Sequence, residues 1–118
     1  KEEHLIRYSL SDLGLDTFNY NGHTTTSDAL WSGLPVLTKF GKSFASRVSA
    51  SILHSFNLND LIVSNEEEYF EKALFLSQNK KITEKFKFKL KDMRGNNLLI
   101  SQNYLTDLEN LFVKLLKR

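Results

Sequence analysis

Apolar positions change period several times along this chain, and each change marks an element. Leu5, Ile6, Tyr8 and Leu10 recur at helical spacing over Glu2 to Ser9, and Ser11-Asp12 closes that helix. Leu13 to Phe18 reads as the short apolar run of a buried strand. A polar turn around Gly22 follows, and three threonines open a helix over Thr24 to Ser32, stopped by Gly33 and the single proline, Pro35. Val36-Leu37-Thr38 is a second strand, ending in the turn Lys39-Phe40-Gly41-Lys42. Ser43 starts a helical stretch with Phe44, Val48, Ile52 and Leu53 on one side, and Leu61-Ile62-Val63 makes a third strand. Ser64 and Asn65 cap a helix over Glu66 to Ser77, where three glutamates suit the positive end and Tyr69, Phe70, Ala73, Leu74 and Leu76 form the inner stripe. The helical pattern repeats over Ile82 to Met93 and breaks at Arg94-Gly95-Asn96-Asn97. It returns over Asn103 to Lys117 with Leu105, Leu108, Leu111, Phe112, Leu115 and Leu116.

Strands alternate with helices through the first two thirds of the chain. That order predicts an α/β fold, a Rossmann-like parallel sheet over about residues 1–79, with a helical tail over 80–118. A length of 118 residues allows one domain with a real core, but is small for a complete enzyme with a two-substrate cleft. With 41% hydrophobic and 25% charged residues the chain fits an ordinary soluble class. No segment has the length of a membrane span, Lys1-Glu2-Glu3-His4 lacks the apolar core of a secretory signal, and cysteine is absent. A cytoplasmic setting is the expectation.

The chemistry concentrates in Leu15 to Trp31, a strand, a loop and a helix start. Such a loop lies at the carboxyl end of a parallel strand, where ligands collect, and the helix it opens presents free N–H groups and a partial positive charge. The N–H groups of Thr24, Thr25 and Thr26, their hydroxyls and the His23 imidazole suit the oxygens of a diphosphate, and Asp28 suits ribose hydroxyls. The same residues also fit a plainer role. Thr25 and Asp28 have capping-box spacing, His23 fits a surface turn, and Ala29, Leu30 and Trp31 fit a core better than a base-stacking platform. There is no Walker lysine pattern, no Gly-x-Gly-x-x-Gly and no metal-ligand cluster. Ser46, Ser49 and Ser51 lie near His54 in sequence without a carboxylate spaced to orient it, so a hydrolase triad is unsupported.

A net charge of +2 does not itself imply a polyanionic partner. Seven of the sixteen basic residues nevertheless lie between Lys80 and Arg94, interleaved with Phe86, Phe88 and Leu90. Basic grooves with aromatic platforms bind single-stranded nucleic acid, whereas a solvated helix packed by its apolar side gives the same pattern.

Several motifs together resemble one family. Lys1-Glu2-Glu3-His4, Tyr8-Ser9-Leu10-Ser11-Asp12, Leu15-Asp16-Thr17, Asn21-Gly22-His23-Thr24-Thr25 with Asp28, and Leu30-Trp31-Ser32-Gly33-Leu34-Pro35-Val36-Leu37-Thr38 are similar to the carboxyl-terminal catalytic lobe of the O-linked N-acetylglucosamine transferases. These are the family 41 glycosyltransferases, which include the SPINDLY-type proteins. The likeness continues through Phe44-Ala45-Ser46-Arg47-Val48-Ser49-Ala50-Ser51, Leu61-Ile62-Val63 and the tail around Tyr104 to Leu116.

The resemblance implies a GT-B enzyme, with this chain as part of the lobe that holds the sugar nucleotide. The other lobe and a helical-repeat (TPR) region would lie upstream. It implies that Lys1 contacts the donor diphosphate and steadies the leaving group, that His4 and Arg7 lie by the uracil and ribose, that His23, Thr24 and Thr25 take the phosphates, and that Asp28 holds the ribose. No metal and no further cofactor are implied, and no catalytic base is identified in this stretch. The implied partners are a UDP-sugar and a protein acceptor. Members using GDP-fucose usually lack a histidine at the position of His23, which favours a UDP-sugar over GDP-fucose; UDP-glucose remains an alternative, as does a non-catalytic scaffold module that keeps the fold. Asn19, Thr26 and the turn Lys39-Phe40-Gly41-Lys42 depart from the family pattern, the last replacing a turn that contains proline.

Overall fold

Val36 to Lys39 forms the strand against which the other elements are laid. It is buried over its first three residues and pairs in parallel on both sides, which explains why Val36 and Leu37 are apolar in succession rather than in alternation. The computed structural model describes residues 2–95 and 102–117. In chain order they form α1 (Glu2–Tyr8), β1 (Gly14–Leu15), α2 (Thr24–Trp31), β2 (Val36–Lys39), α3 (Val48–Ser55), a 3-10 turn (Asn59–Leu61), β3 (Ile62–Val63), α4 (Glu66–Gln78), α5 (Lys80–Gly95) and α6 (Gln102–Leu116). The sheet has the order β1-β2-β3, with Gly14 opposite Val36, Leu15 opposite Leu37, Thr38 opposite Ile62 and Lys39 opposite Val63. Pro35 opens β2 without loss, because the ladder uses its carbonyl, which accepts the Gly14 N–H at 2.8 Å.

Successive residues of β2 enter different cores, as the two-residue period of a strand requires. Val36 packs with Ala29, Leu30, Leu34, Leu53, Leu58, Leu61, Leu76 and Leu90, which come from α2, α3, α4, α5 and their connections. Leu37 packs with Val63 and Tyr69, flanked by Leu13, Phe18 and Ala73. Both faces of the sheet are therefore covered, as the expected Rossmann-like layering demands. α5 joins the first core through buried Leu90, and its buried Thr83 hydroxyl donates to the Leu76 carbonyl of α4 at 3.1 Å. Among the described residues no helix is long and apolar enough to cross a membrane.

Several expectations change in the structure. The first strand pairs only over Gly14–Leu15; the Asp16 N–H still donates to the Leu37 carbonyl of β2 at 3.0 Å, and from Thr17 onward the chain bonds to its own loop. The helix expected from Ser43 begins at Val48. Ser43 and Ser46 instead close a turn, in which the Ser43 N–H donates to Ser46 Oγ at 3.1 Å and the Gly41 N–H donates to the Ser46 carbonyl at 2.8 Å. Phe44 consequently stands 81% exposed instead of lying on an inner stripe. On α4, Tyr69, Ala73 and Leu76 share the inner face at helical spacing, while Phe70 and Leu74 project outward. Trp31, grouped with the core on the pattern alone, is 42% exposed, whereas Ala29 and Leu30 are buried.

The expected caps of α4 are present. Asn65 Oδ1 accepts the Glu68 N–H at 2.8 Å, and Glu68 Oε2 accepts the Ser64 N–H at 2.9 Å and the Ser64 hydroxyl at 2.8 Å. These bonds from Ser64 hold the Glu68 carboxyl below its ordinary value. Arg94 and Gly95 remain helical, and the rest of the expected break, Asn96-Asn97, lies outside the described residues. On α6, Leu108 is half-buried, while Leu105, Leu111, Phe112, Leu115 and Leu116 are exposed.

Candidate functional site

The loop between β1 and α2 is built on Asp16. Its Oδ1 accepts the Gly22 N–H at 2.7 Å and its Oδ2 accepts the Thr38 hydroxyl at 2.6 Å, so one carboxylate joins both ends of the loop to the end of β2. Thr17 Oγ1 donates to the Tyr20 carbonyl, and Asn21 Nδ2 donates to the Thr17 carbonyl at 2.8 Å. On its other side the loop is tied to α3 and to the turn that precedes it. The Asn21 N–H donates to the Ala45 carbonyl at 2.9 Å, and Ser49 Oγ donates to the Gly22 carbonyl at 2.8 Å while lying 2.8 Å from Thr26 Oγ1. These bonds hold the entry to α2 in one arrangement before any ligand arrives.

α2 starts two residues earlier than a capping box at Thr25 would require. His23 occupies the N-cap position and gives no side-chain hydrogen bond to the first turn, so Thr25 and Asp28 do not form the reciprocal pair that their spacing allowed. Thr24 and Thr25 are exposed in the first helical turn, whose N–H groups have no partner within the helix. Asp28 is half-buried one turn further on, the i+4 neighbour of Thr24. It borders a cleft shared with Ser27, Trp31, Ile52 and Phe56. Thr26 differs from its neighbours, since it is buried and its hydroxyl is engaged by Ser49. The His23 ring stacks on Tyr20 at 5.0 Å and meets the Phe44 ring edge-on at 6.2 Å. Its Nε2 is buried without a hydrogen-bond partner among the described residues.

His23, Thr24, Thr25 and Asp28 are thus gathered at one helix start. His4 and Arg7 lie on exposed turns of α1, with the His4 ring edge-on to Tyr8 at 5.4 Å, and among the described residues no hydrogen bond or ion pair joins them to the loop. Lys1 lies outside the described residues. Among those residues no three His, Asp or Glu side chains are placed to hold a cation. Asn21, Ser49 and Thr38 are parts of the site that the sequence pattern did not single out. Asp16, six residues before Gly22, carried a usable signal, because a carboxylate at a strand end is suited to bond a following turn.

Tyr69 supports the loop from below. Its hydroxyl donates to the Asp16 carbonyl at 2.9 Å, and burial, with the charge of Asp16 in second place, pushes its pKa up to about 12. A phenol whose folded pKa lies above its unfolded value of 10.0 stabilises the fold fully below that value, and the contribution disappears as pH rises toward 12. Urea midpoints should therefore decline between these pH values in the native sequence and decline less in Tyr69→Phe. That variant should also lose about 1 kcal/mol at neutral pH, from the missing hydrogen bond. Identical alkaline profiles would remove Tyr69 from this role.

Three of the seven basic residues of the α5 stretch make internal contacts. Lys87 pairs with Asp12 at 2.9 Å, holding that carboxyl below its ordinary value, and Lys89 donates to the Asn57 carbonyl at 2.6 Å. Arg94 donates to the Trp31 carbonyl at the end of α2 at 3.3 Å. Phe86 packs on the core, and of the two aromatics only Phe88 stands out, 73% exposed. This is the packed, solvated helix rather than a row of stacking platforms.

Comparison with known proteins fits this geometry. The model of glycosyl transferase family 41 matches residues 1–108. The chain is 32% identical over 117 residues to the Arabidopsis thaliana protein named probable UDP-N-acetylglucosamine--peptide N-acetylglucosaminyltransferase SPINDLY, covering 98% of this chain and 13% of that protein. It is 35% identical over 119 residues to the Caenorhabditis elegans UDP-N-acetylglucosamine--peptide N-acetylglucosaminyltransferase, covering 100% of this chain and 10% of that protein. A mutant Thermobaculum terrenum O-GlcNAc transferase superposes with a TM-score of 0.87 at 30% identity, over 95% of this chain and 22% of that one. The chain thus spans a small part of the proteins it matches. Family model, relatives and solved fold agree over nearly all of its residues, and the chain belongs to glycosyl transferase family 41.

Proposed function

We propose that this chain is part of the donor-binding lobe of a protein O-glycosyltransferase that moves N-acetylglucosamine from UDP-N-acetylglucosamine to a serine or threonine hydroxyl, with inversion at the anomeric carbon. The observation that supports this most is the uncapped start of α2, where Thr24, Thr25 and His23 stand together above Asp28. In this reading the diphosphate sits against the free N–H groups and the Thr24 and Thr25 hydroxyls, and Lys1 adds a positive charge. His23 donates to a donor oxygen, Asp28 accepts from the ribose hydroxyls, and His4 and Arg7 flank the base. The acceptor oxygen forms a bond to the anomeric carbon as the bond from that carbon to the diphosphate oxygen breaks. The hydroxyl proton leaves to a base outside this stretch, and the charge growing on the departing diphosphate is spread over fixed donors. The second Rossmann-like lobe and the acceptor-holding repeats belong elsewhere in the protein, so the 118-residue stretch alone should show no transfer to a peptide; measurable turnover by it would contradict this division of labour.

Calorimetry with UDP tests the assignment. Thr25→Ala should weaken UDP binding about tenfold, the value of one hydrogen bond to a charged oxygen, and Asp28→Ala should do the same. Lys81→Ala, on the exposed side of α5, should leave it unchanged. Unchanged affinity in both site variants would place the nucleotide elsewhere. GDP and UDP titrated side by side separate a UDP-sugar enzyme from one that uses GDP-fucose.

A further inference from the structure

The geometry points to a second binding feature, a groove beside the His23 loop that seats an acidic, extended stretch of the acceptor polypeptide; it rests on the protein-transferase reading above. The groove measures about 780 Å³ and runs between the turn after β2 and α3, bordered by Phe40, Lys42, Phe44, Arg47, Val48 and Ile62. Among the described residues two cations and no carboxylate line it. Neither Lys42 nor Arg47 has an ion-pair partner among the described residues, whereas Lys39 pairs with Glu66 at 3.2 Å and Lys87 with Asp12 at 2.9 Å. Phe44 is 81% and Phe40 44% exposed, so two aromatic rings face water between two unpaired charges.

The platform is held in shape by its backbone. The Gly41 N–H donates to the Ser46 carbonyl, and buried Ser46 bonds back to the Ser43 N–H, so the turn carrying Phe40, Lys42 and Phe44 does not depend on packing of those three side chains. Binding to such a surface loses little ordering entropy. Position adds a second argument. Phe44 lies edge-on to His23, so a chain resting in the groove passes one side chain away from the candidate diphosphate loop, where an acceptor hydroxyl has to arrive. Carboxylates flanking that hydroxyl would bond Lys42 and the fork of Arg47, and an apolar neighbour would cover the phenylalanines. The groove thereby selects acceptors whose serine or threonine sits among Asp or Glu residues.

Fluorescence anisotropy on the full-length protein tests this with a labelled serine peptide flanked by glutamates, the same peptide with lysines in their place, and an oligothymidylate. The glutamate peptide should bind about tenfold more tightly than the lysine peptide, with an advantage that shrinks as salt rises. The double variant Lys42→Glu, Arg47→Glu should reverse the preference, and Phe44→Ala should weaken both peptides. Equal affinity for the two peptides, tighter binding of the oligothymidylate, or charge reversal without effect would overturn the inference. UDP calorimetry on the double variant reads the donor site separately. A protein that fails to bind UDP but still discriminates the peptides would overturn the donor assignment and leave the groove standing.

Discussion

Replacing Asp16 with alanine is expected to cost about 2–4 kcal/mol of stability and to bring UDP binding below detection. One half-buried carboxylate accepts both the Gly22 N–H and the Thr38 hydroxyl, and removing it leaves two donors without an acceptor, each at about 1–3 kcal/mol. The two bonds also lock the loop against β2, so their loss frees the peptide that precedes the start of α2. Asp16→Asn should be far milder. Its amide oxygen still accepts from Gly22, and the Thr38 hydroxyl can turn to accept from the new NH2 group. Urea unfolding and UDP calorimetry on both variants measure the pair of effects. A loss under about 1 kcal/mol in Asp16→Ala would show that the loop is held by its other contacts.

The second large effect is expected from Gly22→Ala. A Cβ at this position would lie 2.5 Å from Thr25 Oγ1 and 2.6 Å from Thr26 Oγ1. Thr25 is exposed and can rotate away. Thr26 cannot do so freely, because Ser49 holds its hydroxyl and is itself bonded to the Gly22 carbonyl. The added methyl must therefore break this closed set of bonds or push the first turn of α2 aside, at about 1–3 kcal/mol and with most of the UDP affinity lost. Steric contact alone is responsible, which separates this site from Gly33, where φ is +88° and open space surrounds the position. Removing the obstructing hydroxyl gives the control. Gly22→Ala combined with Thr26→Ala should be more stable than the sum of the two single variants predicts, whereas simple additivity would rule out the clash.

Both predictions concern residues whose importance the linear pattern understated. The pattern marked the candidate phosphate loop, with His23, Thr24, Thr25 and Asp28 in one short stretch, because strand, turn and helix start follow one another there. It also left the capping-box alternative open. The choice depended on where the helix begins, and that is set by the loop's attachment to Asp16 and Ser49 rather than by the threonines. Phe44 illustrates the same limit. Its spacing with Val48 and Ile52 fits a helix, yet bonds between Ser43 and Ser46 offer the backbone a turn that replaces the first helical turn.

By itself the sequence determined the order of strands and helices, the limits of β2 and α2 to within a residue, and the caps of α4. Those features depend on groups a few residues apart, such as Asn65 with Glu68, and are written in local chemistry. Tertiary structure alone decided which threonine hydroxyls stay free, which aromatic rings reach the surface and how far β1 extends. The deciding contacts join Asp16 to Thr38 across 22 residues, Thr26 to Ser49 across 23 and Tyr69 to Asp16 across 53. A donor and an acceptor that distant in the chain meet only after the sheet and helices have packed, so no window of sequence contains the pair.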